Sequence, residues 1–346
     1  MGTGIVSILL HNLPYNTAWI SHGLAIAFFV LNVGLFTVFT IITVLRYALY
    51  PEIWKAMLIH PGQSLFLGCF PMGFATIINM MILVCAPVWG NWVVSWAWGF
   101  WWLDAALSLG TCITVPFVMI HQHRPGLQAV TAASLLPIVP TVVASSTGGI
   151  VAEALADHNH AFITLVTSYI LWGIGTCFSG MVLALYFHRL TIHSLPSKEV
   201  IVSVFLPISP LGQGGFGIQQ LGKVALKVLP QTTAFTAAAP GAVHGGEILY
   251  FLGIFLALIM WGFALVWLSF ALISIVTMQK FPFNMGWWGF TFPLGVMATC
   301  TGMLAKDLDS AFFRVMTMAI SGEIFFAPCL KDLREKQAQG GSDRRV

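Results

Sequence analysis

Long apolar runs, broken by short polar or glycine- and proline-rich stretches, fill most of the chain. Their edges define ten segments, at roughly 1–12, 18–46, 63–86, 92–121, 132–153, 158–189, 199–224, 246–278, 285–305 and 308–330. Most reach the length of about 20 residues that an α-helix needs to cross the hydrocarbon core of a bilayer. Apolar and polar positions do not alternate within them, which argues against the strands of a membrane barrel. A helix satisfies its own backbone in lipid, so the pattern predicts an all-α polytopic membrane protein with ten transmembrane helices. Residues 1–330 make up the transmembrane domain and 331–346 a polar cytoplasmic tail. The first segment spans only about 18 Å at 1.5 Å per residue, against a core of about 30 Å. Its helix is expected to be truncated, with native residues preceding Met1.

A second pattern lies over the first. The odd-numbered segments share a pattern of proline followed by glycine and small hydroxyl residues that the even ones do not repeat: Phe70-Pro71-Met72-Gly73-Phe74-Ala75-Thr76, Leu136-Pro137-Ile138-Val139-Pro140-Thr141, Leu206-Pro207-Ile208-Ser209-Pro210-Leu211-Gly212-Gln213 and Thr291-Phe292-Pro293-Leu294-Gly295. Met1-Gly2-Thr3-Gly4 stands about one repeat upstream of Met72-Gly73. The prolines at 71, 137, 207 and 293 recur every 66 to 86 residues, one helical hairpin each time, which is the signature of an internal repeat. Proline inside a helix removes a hydrogen bond and kinks it. Helices broken in this way survive in a membrane when packed in protein or lining a watery cavity. Five of them around one axis, each backed by its even-numbered partner, would form a central pore with quasi-fivefold symmetry. Close packing through small residues is the competing explanation.

Composition agrees with a lipid solvent. Hydrophobic residues make up 58% of the 346 and charged residues 8%, where a soluble domain carries roughly 25% charge. The formal net charge of +3 comes with no basic cluster to suggest nucleic acid. Six scattered cysteines form no CxxC pair, so neither a disulfide framework nor a zinc site is indicated. With a cytoplasmic N-terminus, eleven Lys and Arg fall inside (Arg46, Lys55, Arg124, Arg189, Lys198, Lys280, Lys331, Arg334, Lys336, Arg344, Arg345). Four fall at the outer side: Lys223, Lys227, Lys306 and Arg314. That asymmetry places both termini in the cytoplasm.

The odd segments offer Gly2, Thr3, Phe70, Gly73, Thr76, Thr141, Gln213 and Thr291 as pore-lining positions, with Ser145, Ser146, Thr147 and Thr299 beside them. Cation pathways display rings of Asp or Glu, and none is present. Hydroxyls, amides and exposed helix N-termini suit a small anion, which Lys223, Lys227 and Lys306 could attract to the outer mouth. Those lysines are equally compatible with interfacial snorkelling. Asp104, on an even segment, is expected to bond to a neighbouring helix rather than to carry transport. Gly212-Gln213-Gly214-Gly215-Phe216-Gly217 fits the dinucleotide fingerprint only formally, because no strand precedes it and no acidic residue follows at the right distance. His121, Gln122, His123 and Arg124 read as a wet helix end rather than a metal site. Nothing implies a cofactor, and the convergent acid/base constellation a membrane enzyme would need is missing.

Three runs together resemble a known family: Met1-Gly2-Thr3-Gly4; His60-Pro61 with Ser64, Phe66, Gly68 and Pro71-Met72-Gly73; and Trp287-Trp288 with Thr291-Phe292-Pro293. The likeness is to the tellurite-resistance/dicarboxylate transporter family, which takes in plant slow anion channels, bacterial tellurite-resistance proteins, yeast malate permease and fungal sulfite exporters. Met1 to Ser7, Pro207 to Gly214 and Gly245-Gly246-Glu247 resemble the sulfite-exporting branch most. The resemblance covers essentially the whole chain. It implies five helical hairpins around a pore in each subunit of a homotrimer, and a plasma-membrane exporter of sulfite or bisulfite, with a malate-type dicarboxylate carrier as the alternative. It further implies a phenylalanine gate on the ninth helix, matched here by Phe292, with Phe290 second. Phe292 precedes its repeat proline as Phe70 does.

Overall fold

The computed structural model describes residues 1–14, 18–123, 126–196, 201–232, 244–278 and 289–322, and no strand occurs among them. In chain order the helices are α1 (Gly2–Asn12), α2 (Ala18–Leu49), α3 (Pro51–Ile59), α4 (Cys69–Met80), α5 (Ala86–Trp89), α6 (Asn91–Val118), α7 (Val139–Ala154), α8 (His158–His193), α9 (Ile208–Val228), α10 (Gly245–Met278) and α11 (Thr291–Asp307). A last helix, α12, covers Ala311–Gly322.

Six stretches are long and apolar enough to cross a membrane: Ser21–Leu49, Ser64–Trp89, Asn91–Gln122, His158–His193, Ile201–Gln231 and Gly245–Met278. The other four expected segments are the shorter helices α1, α7, α11 and α12. Helix α3 was not anticipated. The polar tail, the Trp287-Trp288 pair and residues 323–330 of the last expected segment lie outside the described residues.

Burial separates the helices into two layers. In the most apolar stretch of Ile201–Gln231 89% of residues are buried, against 11% in Ser21–Leu49. The outer helices α2, α6, α8 and α10 expose rows of large apolar side chains, among them Val30, Phe39, Ile113, Ile170, Phe251 and Val276. Exposed apolar surface on this scale requires lipid, and the protein is a multi-pass membrane protein. Inside, α1 packs on α4, α4 on α7, α7 on α9, α9 on α11, and α11 back on α1. Glycine permits the closest approaches. A Cβ on Gly212 of α9 would stand 2.8 Å from the Met297 amide nitrogen of α11, and one on Gly295 would stand 2.6 Å from Ile5 of α1. The glycines of the dinucleotide-like run are therefore used for packing between helices.

The repeat prolines stand at the starts of the α-helical segments rather than in their middles, where the sequence pattern placed them. Pro71 and Pro293 lie in the first turns of α4 and α11. Pro207 caps α9, and Pro137 precedes α7 while Pro140 opens it. Short 3₁₀ turns, Ser64–Gly68, Ala132–Leu135 and Ile201–Phe205, lead into α4, α7 and α9. In a first turn the missing N–H would have no intrahelical partner in any case. Proline there starts the helix. The irregularity inside the third expected segment comes ten residues later, where a π turn at Met81–Cys85 widens the helix.

Candidate functional site

The inner helices run in the same direction, as their contacts show. Gly2 faces Thr291, Gly4 faces Thr76, Gly212 faces Met297, and Gly215 faces Cys300. Their N-terminal halves are packed shut. Ile5, Met72, Val139, Val143, Ile208, Leu211, Leu294 and Val296 form one buried apolar cluster there, with Phe292, 3% exposed, among them.

Beyond this plug the C-terminal halves diverge around a cavity of about 470 Å³. All five inner elements line it: Ile8, Leu9 and Asn12 of α1, Ile82 and Leu83 of the π turn after α4, Ile150 and Glu153 of α7, Phe216, Gln220 and Lys223 of α9, and Ala298, Thr299, Lys306 and Asp307 of α11. Ala298 stands six residues after Phe292, roughly 9 Å along the helix. The cavity floor therefore lies about that far above the phenyl ring's position in the chain.

Charge is gathered at the wide end. Glu153 accepts hydrogen bonds from Lys227 Nζ at 2.5 Å and from Gln220 Nε2 at 2.8 Å. Lys223 Nζ lies 3.3 Å from the same carboxylate. Lys306 and Asp307 face the cavity from α11. The mouth thus holds three lysines and two carboxylates.

The pattern of the SLAC1 family, described as voltage-dependent anion channel, matches residues 1–329. The chain belongs to this family. It is 51% identical over 316 residues to the sulfite efflux pump of Arthroderma otae, covering 91% of this chain and 82% of the relative. The sulfite efflux pump of Trichophyton rubrum is 50% identical with the same coverage. More distantly, the malic acid transport protein of Schizosaccharomyces pombe is 22% identical over 319 residues, 91% of this chain and 71% of that one.

None of the eight positions proposed from sequence as pore-lining in this SLAC1-family chain is on the cavity wall. Gly2, Thr3, Gly73, Thr141, Gln213 and Thr291 belong to the closed N-terminal halves, and Thr76 sits just past the middle of α4. Thr3 donates to Asn32 Oδ1 of α2 at 2.7 Å, and Asn32 Nδ2 donates to Thr76 at 3.2 Å. Thr141 donates to the Ile138 carbonyl at 2.7 Å and abuts Gly175 of α8. Gln213 donates to Ser146, tying α9 to α7. Phe70 stacks on Phe36, with ring centroids 5.1 Å apart, and lines a separate cavity between α2, α3, α4 and α6. Of the three lysines, Lys223 and Lys306 face the central cavity, and Lys227 reaches its rim through Glu153.

Sequence reasoning missed Glu153, Gln220 and Asp307 as wall residues. A signal existed: Gln220, Lys223 and Lys227, spaced i, i+3 and i+7, share one helix face. Asp104 is fully buried in α6, and neither carboxylate oxygen has a hydrogen-bond partner among the described residues. The bond to a neighbouring helix that the sequence led us to expect is not formed.

Proposed function

We propose that this protein exports sulfite or bisulfite across a plasma membrane, through a pore in each subunit that Phe292 gates. The observation that carries the reading is the cavity walled by all five inner elements and closed by the apolar plug containing Phe292. The closed ring of inner-helix contacts supports a ten-helix, quasi-fivefold architecture. High identity to sulfite efflux pumps favours sulfite as cargo; a malate-type dicarboxylate is the alternative. Transport would run in a homotrimer with both termini cytoplasmic.

In that orientation the N-terminal ends of α4, α7, α9 and α11 face the cytoplasm. None of these four is capped by a side chain. Each helix N-terminus carries roughly half a positive charge, so the inner entrance favours anions. The cavity's lysines meet them on the other side of the plug. A dry apolar constriction between two electropositive regions is a pathway that excludes cations and opens by moving one ring.

Flux measured in liposomes holding only the purified protein tests this reading. Sulfite is expected to move under a clamped potential with no nucleotide present, faster than malate and chloride. Movement of malate without sulfite would replace the cargo, and absence of any anion flux would overturn the function.

A further inference from the structure

The convergence on Glu153 amounts to a filled anion site. Its Oε1 takes Lys227 at 2.5 Å and lies 3.3 Å from Lys223, while its Oε2 takes the Gln220 amide. All three donors come from one face of α9, and the acceptor comes from α7. Close packing brings them together, since a Cβ on Gly149, one turn before Glu153, would stand 2.9 Å from the Gln220 side chain. Glu153 and Lys223 line the cavity itself. Two ammonium groups and an amide N–H aimed at a pair of oxygens are what a small oxyanion needs, and here the chain's own carboxylate holds the place.

We infer that Gln220, Lys223 and Lys227 form an oxyanion-binding site in the outer cavity, and that Glu153 is a tethered competitor occupying it. The inference rests on the function proposed above and names the site where the cargo pauses after passing the plug. Side-chain exposures of 26% for Glu153, 41% for Lys223 and 56% for Lys227 leave the pairing open to water. A solvated ion pair of this kind is weak, so a free anion can displace the carboxylate. The competitor then keeps the anion from lingering, because each departing ion is replaced at once by a group that cannot leave. Conduction depends on binding that is favourable enough to enter and weak enough to release.

Removing the competitor should therefore tighten binding. Sulfite titrated calorimetrically into the purified protein should bind Glu153→Gln about tenfold more tightly than the native chain. The double variant Glu153→Gln/Lys227→Gln should lose that gain. In liposomes the sulfite concentration for half-maximal flux should fall in Glu153→Gln by a similar factor. A carboxylate that merely ties α7 to α9 would lower thermal stability on substitution and leave both sulfite readings within twofold of native, and that result overturns the inference. Should Glu153→Gln fail to fold, Glu153→Ala offers the same comparison without an amide in the site. Native protein that binds sulfite but does not move it would overturn the exporter reading alone, while the affinity ratio still decides the site.

Discussion

Phe292 is the residue on which the transport reading turns. Its ring is nearly fully buried in the apolar cluster that closes the inner halves. Phe292→Ala should raise sulfite flux in liposomes at least tenfold, which asks the ring for about 1.4 kcal/mol of the barrier. The same change should lower thermal stability, because it empties a packed site. Lower stability with unchanged flux would make the ring a packing residue only. A second residue prediction concerns Asp157, which caps α8 by accepting from the Asn159 and His160 amides at 2.8 and 3.1 Å. The His160 amide first, then that of Asn159, holds this carboxyl below its ordinary value of 3.8. The cap's contribution is thus fully present above that value and is lost as pH falls below it, through the lowered value of the folded state. Asp157→Ala should melt at a lower temperature near neutral pH, and the gap to native should shrink in scans taken below about pH 4. Sequence made the chemistry of Thr3, Thr76 and Thr141 legible but not their direction. The rotation of a helix decides whether a hydroxyl meets Asn32 or Gly175 or open water, and rotation is fixed by packing. Glu153 escaped for the same reason, since its partners are 67 and 74 positions away.

At the scale of elements, the apolar runs marked out the helices because lipid demands length and hydrophobicity before anything else. The repeat was legible too, but its prolines were read as interior kinks. A 3₁₀ turn and an α-helix look alike as a run of apolar residues, so the point where the helix body begins cannot be read from periodicity. The two placements differ in energy. A proline in a helix interior costs about 3 kcal/mol, whereas one in the first turn mainly restricts the unfolded chain. Pro293→Ala should therefore change stability by less than about 1 kcal/mol. Gly212→Ala should be worse despite adding only a methyl, because that methyl meets the α11 backbone at Met297. Overpacking against backbone costs about 1–3 kcal/mol. Gly262, with nothing within 4 Å of its added Cβ, is the control site, and Gly262→Ala should melt like the native protein. Thermal unfolding of the four proteins in one detergent checks the order. A Pro293→Ala variant less stable than Gly212→Ala would contradict the first-turn placement as the governing effect.

The whole molecule sets the direction of transport through its charge and its orientation in the membrane. No nucleotide-binding loop of the phosphate-cradling type exists in the sequence, and the proposed pathway is a plug between two electropositive regions. The available drive is the potential. An inside-negative membrane of 100 mV gives each outward-moving negative charge about 2.3 kcal/mol, which corresponds to an equilibrium ratio of about fiftyfold for a singly charged anion. Bisulfite should therefore accumulate on the positive side of liposomes clamped at that potential to about fiftyfold and then stop, and reversing the clamp should reverse the gradient. The limit is a property of an uncoupled pathway and does not depend on how fast the proposed Phe292 gate would open, so Phe292→Ala should reach the same ratio sooner. Proton coupling would show differently. The final ratio would move when a pH gradient is imposed at fixed potential and the change is corrected for the sulfite–bisulfite equilibrium. A ratio that tracks the pH gradient would turn attention to Asp104, the buried carboxyl whose oxygens have no partner among the described residues. Asp104→Asn would then be expected to restore the limit set by potential alone.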